Sequence, residues 1–129
     1  MRVLLDTHAV LWAMTQPSLL PDSVQVLLLD DSTETLVSAT VAWELSIKHR
    51  SGKLPEAAPL LADFSAVTTS LGATILPIEI SHAILAGALD WEHRDPFDRM
   101  LAAQAMLAGA VLISRDKAFD AVPGLRLSW

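Results

Sequence analysis

The N-terminus places an acidic side chain directly after what reads as a buried strand. Val3, Leu4 and Leu5 form an unbroken apolar run, and Asp6 follows at once. A short apolar run without alternation is typical of a strand covered on both faces, as in a parallel sheet. Open parallel sheets bind their ligands outside the carboxyl ends of the strands. The sequence therefore predicts a central strand with Asp6 at the functional edge of the sheet.

The rest of the chain alternates between strand-like and helical segments. Further strands are predicted at 36–37, 73–78 and 111–113, with an edge strand at 125–127. Helices are predicted at 9–14, 40–50, 60–71, 81–89, 96–107 and 116–122. A further helix is predicted to follow the N-cap Asp22 and to end before Asp30. This alternation favours a three-layer α/β/α domain with a mostly parallel central sheet of four to five strands. We expect residues 1–129 to form one domain.

Composition narrows the class of protein. The 129 residues are 52% hydrophobic, enough for a sizeable core, and include no cysteine, so a disulfide framework and a thiolate metal site are excluded. No charge-free stretch reaches the ~20 apolar residues of a spanning helix, and Asp6 interrupts the N-terminal apolar run too early for a signal peptide. We expect a cytoplasmic protein without a membrane partner. The net charge of −6 argues against nonspecific attraction to nucleic acid but leaves nucleic acid open as a substrate.

Acidic residues stand out by their positions relative to these elements. Asp6 ends the first strand, Asp116 closely follows the strand at 111–113, Glu44 lies inside the helix at 40–50, and Asp98 lies in the first turn of the helix at 96–107. Asp95 is an ambiguous fifth acid, because it precedes Pro96 as a helix N-cap with Asp98 as its capping-box partner.

Each acid also has a purely structural interpretation. Asp6 and Asp116 suit helix N-caps, worth ~1 kcal/mol each. Glu44 has Lys48 at the favourable i,i+4 spacing, although its apolar neighbours place it close to a buried surface. Together, however, carboxylates gathered at one sheet edge would repel one another unless a cation compensated them. Oxygen ligands without cysteine favour Mg²⁺ or Mn²⁺, which clamp phosphates and activate water.

The chain resembles a PIN domain, and within that family the VapC toxins of bacterial toxin-antitoxin pairs. The resemblance rests on Leu-Leu-Asp-Thr-His at 4–8, Val-Ala-Trp-Glu-Leu-Ser-Ile-Lys at 41–48, Gly-Lys-Leu at 52–54, Asp-Pro-Phe-Asp-Arg-Met-Leu-Ala-Ala-Gln-Ala at 95–105 and Ser-Arg-Asp at 114–116. It implies that Asp6, Glu44, Asp98 and Asp116 form an acidic site for Mg²⁺ or Mn²⁺. Ser114, where the family often has Thr, and Thr7 are expected to support that site.

The resemblance also implies a function and partners. A VapC-type toxin is a metal-dependent endoribonuclease that a cognate antitoxin neutralises, and hydrolysis through water leaves a 5′-phosphate and a 3′-hydroxyl. We expect a homodimer, for which the Ala-rich helix at 96–107 offers a surface of small residues. The candidate RNA-phosphate contacts are Lys48, Arg50, Arg99 and Arg115.

Two other interpretations remain for the acidic set. A non-catalytic PIN-like module would use the acidic crevice to bind a basic partner. Phosphate chemistry with Asp6 as the nucleophile is less well supported, because His8 stands where that chemistry expects a second Asp. The four histidines are scattered without paired ligand spacing, so a zinc site is not expected.

Overall fold

The computed structural model describes all 129 residues as five strands and seven α-helices, joined by three short 3₁₀ helices. The strands are β1 (Arg2–Leu5), β2 (Glu34–Ser38), β3 (Thr74–Leu76), β4 (Val111–Ile113) and β5 (Leu127–Ser128). The α-helices are α1 (Thr7–Thr15), α2 (Asp22–Leu29), α3 (Ala39–Arg50), α4 (Ala58–Ala62), α5 (Phe64–Ser70), α6 (Ile80–Ala88) and α7 (Pro96–Leu107). The 3₁₀ helices are Pro17–Leu19, Pro55–Ala57 and Lys117–Ala121.

All five strands are parallel and lie in the order β3-β2-β1-β4-β5. Leu5, the last residue of β1, pairs with Val37 on one side and with Ile113, the last residue of β4, on the other. The strands β2 and β3 lie on one side of β1, and β4 and β5, which come later in the chain, lie on the other. The direction in which strands are added therefore reverses between β1 and β4. In such a sheet the ligand crevice opens at this point of reversal. The predicted α/β class and parallel sheet are confirmed.

The centre of the sheet is covered on both faces. Val3, Leu4 and Leu5 are all fully buried, although successive strand residues point to opposite faces. This requires a helical layer on each side, as the sequence predicted. None of the helices is both long enough and apolar enough to cross a membrane.

The small residues of α7 are used inside the chain. Ala102, Ala103 and Ala105 have no exposed surface, and α7 contacts β1, β4, α3 and α6. Their size lets these elements approach closely, but the same burial removes them from the surface. The expectation that this Ala-rich face supports a homodimer is therefore wrong, and the homodimer itself remains a prediction.

Several predicted boundaries shift for local reasons. The single helix expected at 60–71 is two helices, because the Asp63 side chain accepts a hydrogen bond from the Ala66 N–H at 3.1 Å and starts α5. Asp22 is the first residue of α2 rather than its cap. The helix predicted at 81–89 begins one residue earlier, at Ile80, and Glu79 rather than the predicted Ser81 is its N-cap. The helix predicted at 116–122 is 3₁₀ rather than α.

Candidate functional site

A polar cleft of about 410 Å³ opens at the carboxyl ends of β1 and β4. All four predicted acids line it, so the structure brings together residues from four separate parts of the chain. Its lining is Asp6, Thr7, His8, Glu44, Lys48, Asp95, Asp98, Arg115, Asp116, Lys117 and Phe119.

Asp6 and Asp116 occupy equivalent places after neighbouring strands. The Asp6 side chain accepts a 2.7 Å hydrogen bond from the Ala9 N–H and caps α1. Asp116 accepts one from the Ala118 N–H at 2.9 Å and caps the following 3₁₀ helix. Both acids are therefore helix caps and cleft residues at once, because a helix that starts at a strand end presents its cap to the crevice. Between them, the Ser114 hydroxyl accepts a 3.1 Å bond from the Asp116 N–H.

Glu44 is buried, with only 4% of its surface exposed. Its Oε1 accepts a 2.8 Å hydrogen bond from the Thr7 hydroxyl, and its Oε2 is paired with the ammonium of Lys48. The predicted i,i+4 pair thus exists, but inside the cleft rather than on an exposed helix face. Since both oxygens of Glu44 are engaged, Lys48 acts here as an internal counter-ion of the acidic cleft.

Asp98 has a different partner from the one expected. As the N-cap of α7, Asp95 accepts hydrogen bonds from the Phe97 and Asp98 N–H groups at 2.8 and 3.3 Å. Asp98 does not complete a capping box by reaching back to the Asp95 backbone, and that prediction is wrong. Its Oδ2 instead lies 2.7 Å from Nε2 of His93, while its Oδ1 makes no hydrogen bond within the chain.

His93 was not predicted as a site residue from the sequence, because only the spacing of the histidines relative to one another was considered. His93, Asp95 and Asp98 each present a ligand atom within 4.8 Å of the others, the one group of three acids or histidines this close. The available signal was proximity along the chain, since His93 precedes Asp98 by only five residues. Asp6, Glu44 and Asp116 line the same cleft but are spaced more widely.

Burial raises the pKa of two of the acids. For Asp6, loss of hydration raises the pKa above its ordinary value of 3.8, and the nearby Ser114 hydroxyl and the Ala9 N–H act against this rise. Burial likewise raises the pKa of Asp98 to about 6, opposed by the hydrogen bond with His93 and reinforced by the charges of Asp95 and Glu44. A cleft that disfavours the ionised form of its own carboxylates is one that a cation would stabilise.

The predicted phosphate contacts divide into different roles. Arg99 directs its guanidinium to five backbone carbonyl oxygens of the segment 86–93, so its donors are already used and we do not retain it as a phosphate contact. Lys48 is paired with Glu44, and Arg50 is exposed at the end of α3 outside the cleft lining. Arg115 does line the cleft, with its guanidinium carbon 4.6 Å from the Trp12 ring centroid.

Lys117 is a second cation of the cleft, and it was not among the residues predicted from the sequence. It is the first residue of the 3₁₀ helix Lys117–Ala121 and lines the cleft together with Arg115. Neither residue forms an ion pair with a carboxylate, whereas Arg2 and Lys48 do. The cleft therefore has an acidic interior and two unpaired cations on its lining.

The family assignment follows from comparison with known sequences. Residues 3–125 match the model of the PIN domain. The chain belongs to the PIN domain family. Comparison with curated proteins gave no further match.

Solved structures share the fold of this PIN domain. VapBC2 from Rickettsia felis, bound to a DNA fragment from its promoter, is 19% identical with a TM-score of 0.70, over 99% of this chain and 98% of that chain. DNA-bound VapBC from Salmonella typhimurium is 19% identical with a TM-score of 0.71, over 99% and 97%. VapBC-1 from nontypeable Haemophilus influenzae is 20% identical with a TM-score of 0.66, over the same shares. At these identities the likeness establishes the fold.

The donor set of this PIN domain fits a hard divalent cation. The four acids provide only oxygen ligands, and both Asp98 and Asp116 keep a carboxylate oxygen that makes no hydrogen bond within the chain. Because the acids are spaced around an open cleft, they suit an ion that keeps several of its waters, as Mg²⁺ commonly does. Asp6, Asp98 and Asp116 could hold such an ion, whereas both oxygens of Glu44 are engaged by Thr7 and Lys48.

Proposed function

We propose that this chain is a metal-dependent endoribonuclease, the VapC-type toxin of a toxin-antitoxin pair. The observation that carries the proposal is the meeting of Asp6, Glu44, Asp98 and Asp116 in one cleft at the carboxyl ends of β1 and β4. Four carboxylates brought together from distant parts of the chain are costly without a cation, and phosphodiester hydrolysis is the chemistry that such a cation serves.

In the proposed reaction, the carboxylates keep the site in a fixed geometry while water attacks the phosphorus atom of the scissile phosphate. A bound Mg²⁺ or Mn²⁺ supplies Lewis-acid polarisation of the phosphate and lowers the pKa of water. A carboxylate of the set accepts the proton of the attacking water. The bond between phosphorus and the 3′-oxygen breaks and the leaving oxygen takes a proton from water, so that one product carries a 5′-phosphate and the other a 3′-hydroxyl.

Lys48 has a place in this scheme because it already neutralises Glu44. If a bound cation were to neutralise Glu44 instead, the ammonium of Lys48 would be free to contact an RNA phosphate. Arg115 and Lys117 are unpaired from the outset and are proposed as the principal phosphate contacts. Such contacts position the RNA and carry no sequence information.

The proposed partner is a cognate antitoxin. The three similar structures described above are of VapBC proteins, which supports a cognate antitoxin as the partner of this chain. A toxin acting on cellular RNA would work in the cytoplasm. Expression of the chain with and without the product of a neighbouring small reading frame tests this partner, since the antitoxin should restore growth and suppress cleavage.

Cleavage of a labelled single-stranded RNA tests the activity. We expect cleavage with Mg²⁺ or Mn²⁺, none with EDTA, and at least a 100-fold loss in Asp6→Asn and Asp116→Asn. Asn retains helix capping, so these variants separate chemistry from folding. Asp31→Asn, at an exposed acid in a turn, is the matched control and should cleave normally. EDTA-resistant cleavage, or full activity in both site variants, would overturn the proposal.

The alternative is a non-catalytic module whose acidic cleft binds a basic partner. The Lys48–Glu44 pair shows that the cleft accepts an ammonium group. This alternative predicts binding of a basic peptide with no RNA cleavage under any metal condition, so the same assay separates the two functions.

A further inference from the structure

The loop between α6 and α7 brings an imidazole to one corner of the acidic cleft. Nε2 of His93 lies 2.7 Å from Oδ2 of Asp98, with about a third of the histidine side chain and a fifth of the aspartate side chain exposed (32% and 19%). The hydrogen bond uses one carboxylate oxygen and leaves the other without a partner in the chain. Asp98 is thus fixed from one side while remaining able to accept a ligand on the other.

The backbone of the same loop is held by the neighbour of Asp98. Arg99 donates to the carbonyl oxygens of Ala86 and Gly87 in the last turn of α6, and to those of Leu89, Trp91 and His93, at 2.6 to 3.4 Å. All five guanidinium N–H groups are used in this way. Two consecutive residues of α7 therefore hold His93. Asp98 contacts the imidazole ring of His93, and Arg99 donates to the His93 backbone carbonyl.

The ring of His93 also packs against an aromatic neighbour. Its centroid lies 4.6 Å from that of Trp91, with the planes tilted by 34°, and Trp91 packs in turn on Phe119 at 5.5 Å. Phe119 is 2% exposed and belongs to the core. The imidazole is thus constrained in three ways, by the bond from Arg99 to the His93 carbonyl, by packing on Trp91 and by the hydrogen bond with Asp98.

We propose that His93 is a positioning residue that fixes the Asp98 carboxylate for cation binding by donating its Nε2–H, on a loop that Arg99 clamps to α6. Partners of metal-ligating groups commonly set their orientation, and their loss weakens metal affinity about 10–100-fold. The inference deepens the proposed nuclease function and rests on it. It assigns the imidazole an indirect role, because its Nε2 is already committed to Asp98.

The test compares His93→Phe and His93→Gln with the intact chain. Phe keeps a ring against Trp91 but has no donor, whereas Gln lacks the ring and offers an N–H near the place of Nε2. His49→Phe, at an exposed histidine in the last turn of α3, is the matched control. Mn²⁺ affinity is measured by electron paramagnetic resonance, and RNA cleavage gives kcat and KM separately.

We expect His93→Phe to bind Mn²⁺ about 10–100-fold more weakly and to lose kcat with little change in KM, and His93→Gln to recover most of both. His49→Phe should match the intact chain. Wild-type Mn²⁺ affinity in His93→Phe overturns the proposal, as does no recovery in His93→Gln. Thermal unfolding of each variant identifies a loss caused by misfolding.

Two spectroscopic measurements do not depend on activity. In the metal-free protein, long-range ¹H–¹⁵N correlation should show a proton on Nε2 of His93, and a bare Nε2 would contradict the inference. Pulsed electron paramagnetic resonance of bound Mn²⁺ should show no hyperfine coupling to a nitrogen of His93. Such a coupling would make His93 a metal ligand and would contradict the positioning role. If Mn²⁺ affinity follows the expected order but no RNA is cut, the nuclease function fails while the positioning role stands.

Discussion

The Thr7 hydroxyl donates a 2.8 Å hydrogen bond to Oε1 of Glu44 and so ties the first turn after β1 to the middle of α3. Both residues are only 4% exposed. Thr7 directly follows Asp6, so the bond sets the spacing between two of the proposed cation ligands. A buried carboxylate is tolerated only when its oxygens are satisfied, which is what Thr7 and Lys48 do.

We expect Thr7→Val to destabilise the protein by about 1–3 kcal/mol, because it leaves a buried Glu44 oxygen without a donor while preserving shape. Thr7→Ser keeps the hydroxyl and should lose much less. Urea unfolding at neutral pH measures both. Equal stability of the Val and Ser variants would show that the bond contributes nothing to the folded state.

Asp98 should make the metal-free protein less stable as the pH rises. Its pKa increases from the ordinary 3.8 to about 6 on folding, so between these values the folded state binds more protons than the unfolded state. The free energy of unfolding therefore falls as the pH rises through this interval. Asp98→Asn should remove this loss and stabilise the metal-free protein above pH 6 by about 1 kcal/mol, a value reduced for the partial exposure of the carboxylate.

Thermal unfolding from pH 4 to 8 in EDTA checks this prediction, with the exposed Asp31→Asn as the control that should leave the Asp98 contribution intact. Added Mn²⁺ should reverse the order, because a ligand that binds only the folded state stabilises the intact site more than the Asn variant. An Asp98→Asn protein that is less stable than the wild type at every pH would show that Asp98 has mainly a structural role.

The sequence was sufficient to predict the sheet edge and its acids. Val3–Leu5 and 111–113 are continuous apolar runs, and each is followed within three residues by an acid. Strand period and parallel pairing then dictate that Asp6 and Asp116 share one edge, as the pairing of Leu5 with Ile113 confirms. Local pattern carries this information because it depends only on neighbours in the chain.

The contacts within the cleft depend on three-dimensional placement and were not predictable in the same way. The pairing of His93 with Asp98 requires the loop after α6 to fold back over α7, and that path depends on Arg99. Arg99 itself was misjudged because an arginine in a helix gives no local sign of whether it faces carbonyl groups or solvent. Side chains that satisfy distant backbone groups leave little periodic signal.

The role of Arg99 as a clamp predicts a clear effect on stability. Lysine keeps the charge but offers three rotatable donors instead of a planar fork of five. Arg99→Lys should therefore lower the free energy of unfolding by about 2 kcal/mol through unsatisfied carbonyls. The exposed Arg50→Lys is the control and should change stability by less than about 0.5 kcal/mol. Chemical denaturation compares the two, and equal effects would return Arg99 to the list of candidate phosphate contacts.

Arg115 and Lys117 should govern the electrostatic part of RNA binding. They line the cleft and have no carboxylate partner, so a phosphate can approach them without breaking an ion pair. Each phosphate contact to single-stranded RNA contributes about −0.7 to the slope of log affinity against log salt concentration. Arg115→Gln and Lys117→Gln should each reduce the magnitude of that slope by about 0.7 and weaken binding to different RNA sequences equally.

The measurement is fluorescence anisotropy of a labelled RNA over a range of salt concentrations, in an Asp116→Asn background so that the RNA stays intact. Arg2→Gln is the matched control, because Arg2 lies at the amino end of β1, away from the cleft, and is already paired with Glu34 at 2.7 Å. Removing a charge there tests whether net charge alone changes the slope. A slope reduced as much by Arg2→Gln as by Arg115→Gln would mean that long-range attraction, not contact in the cleft, accounts for the affinity.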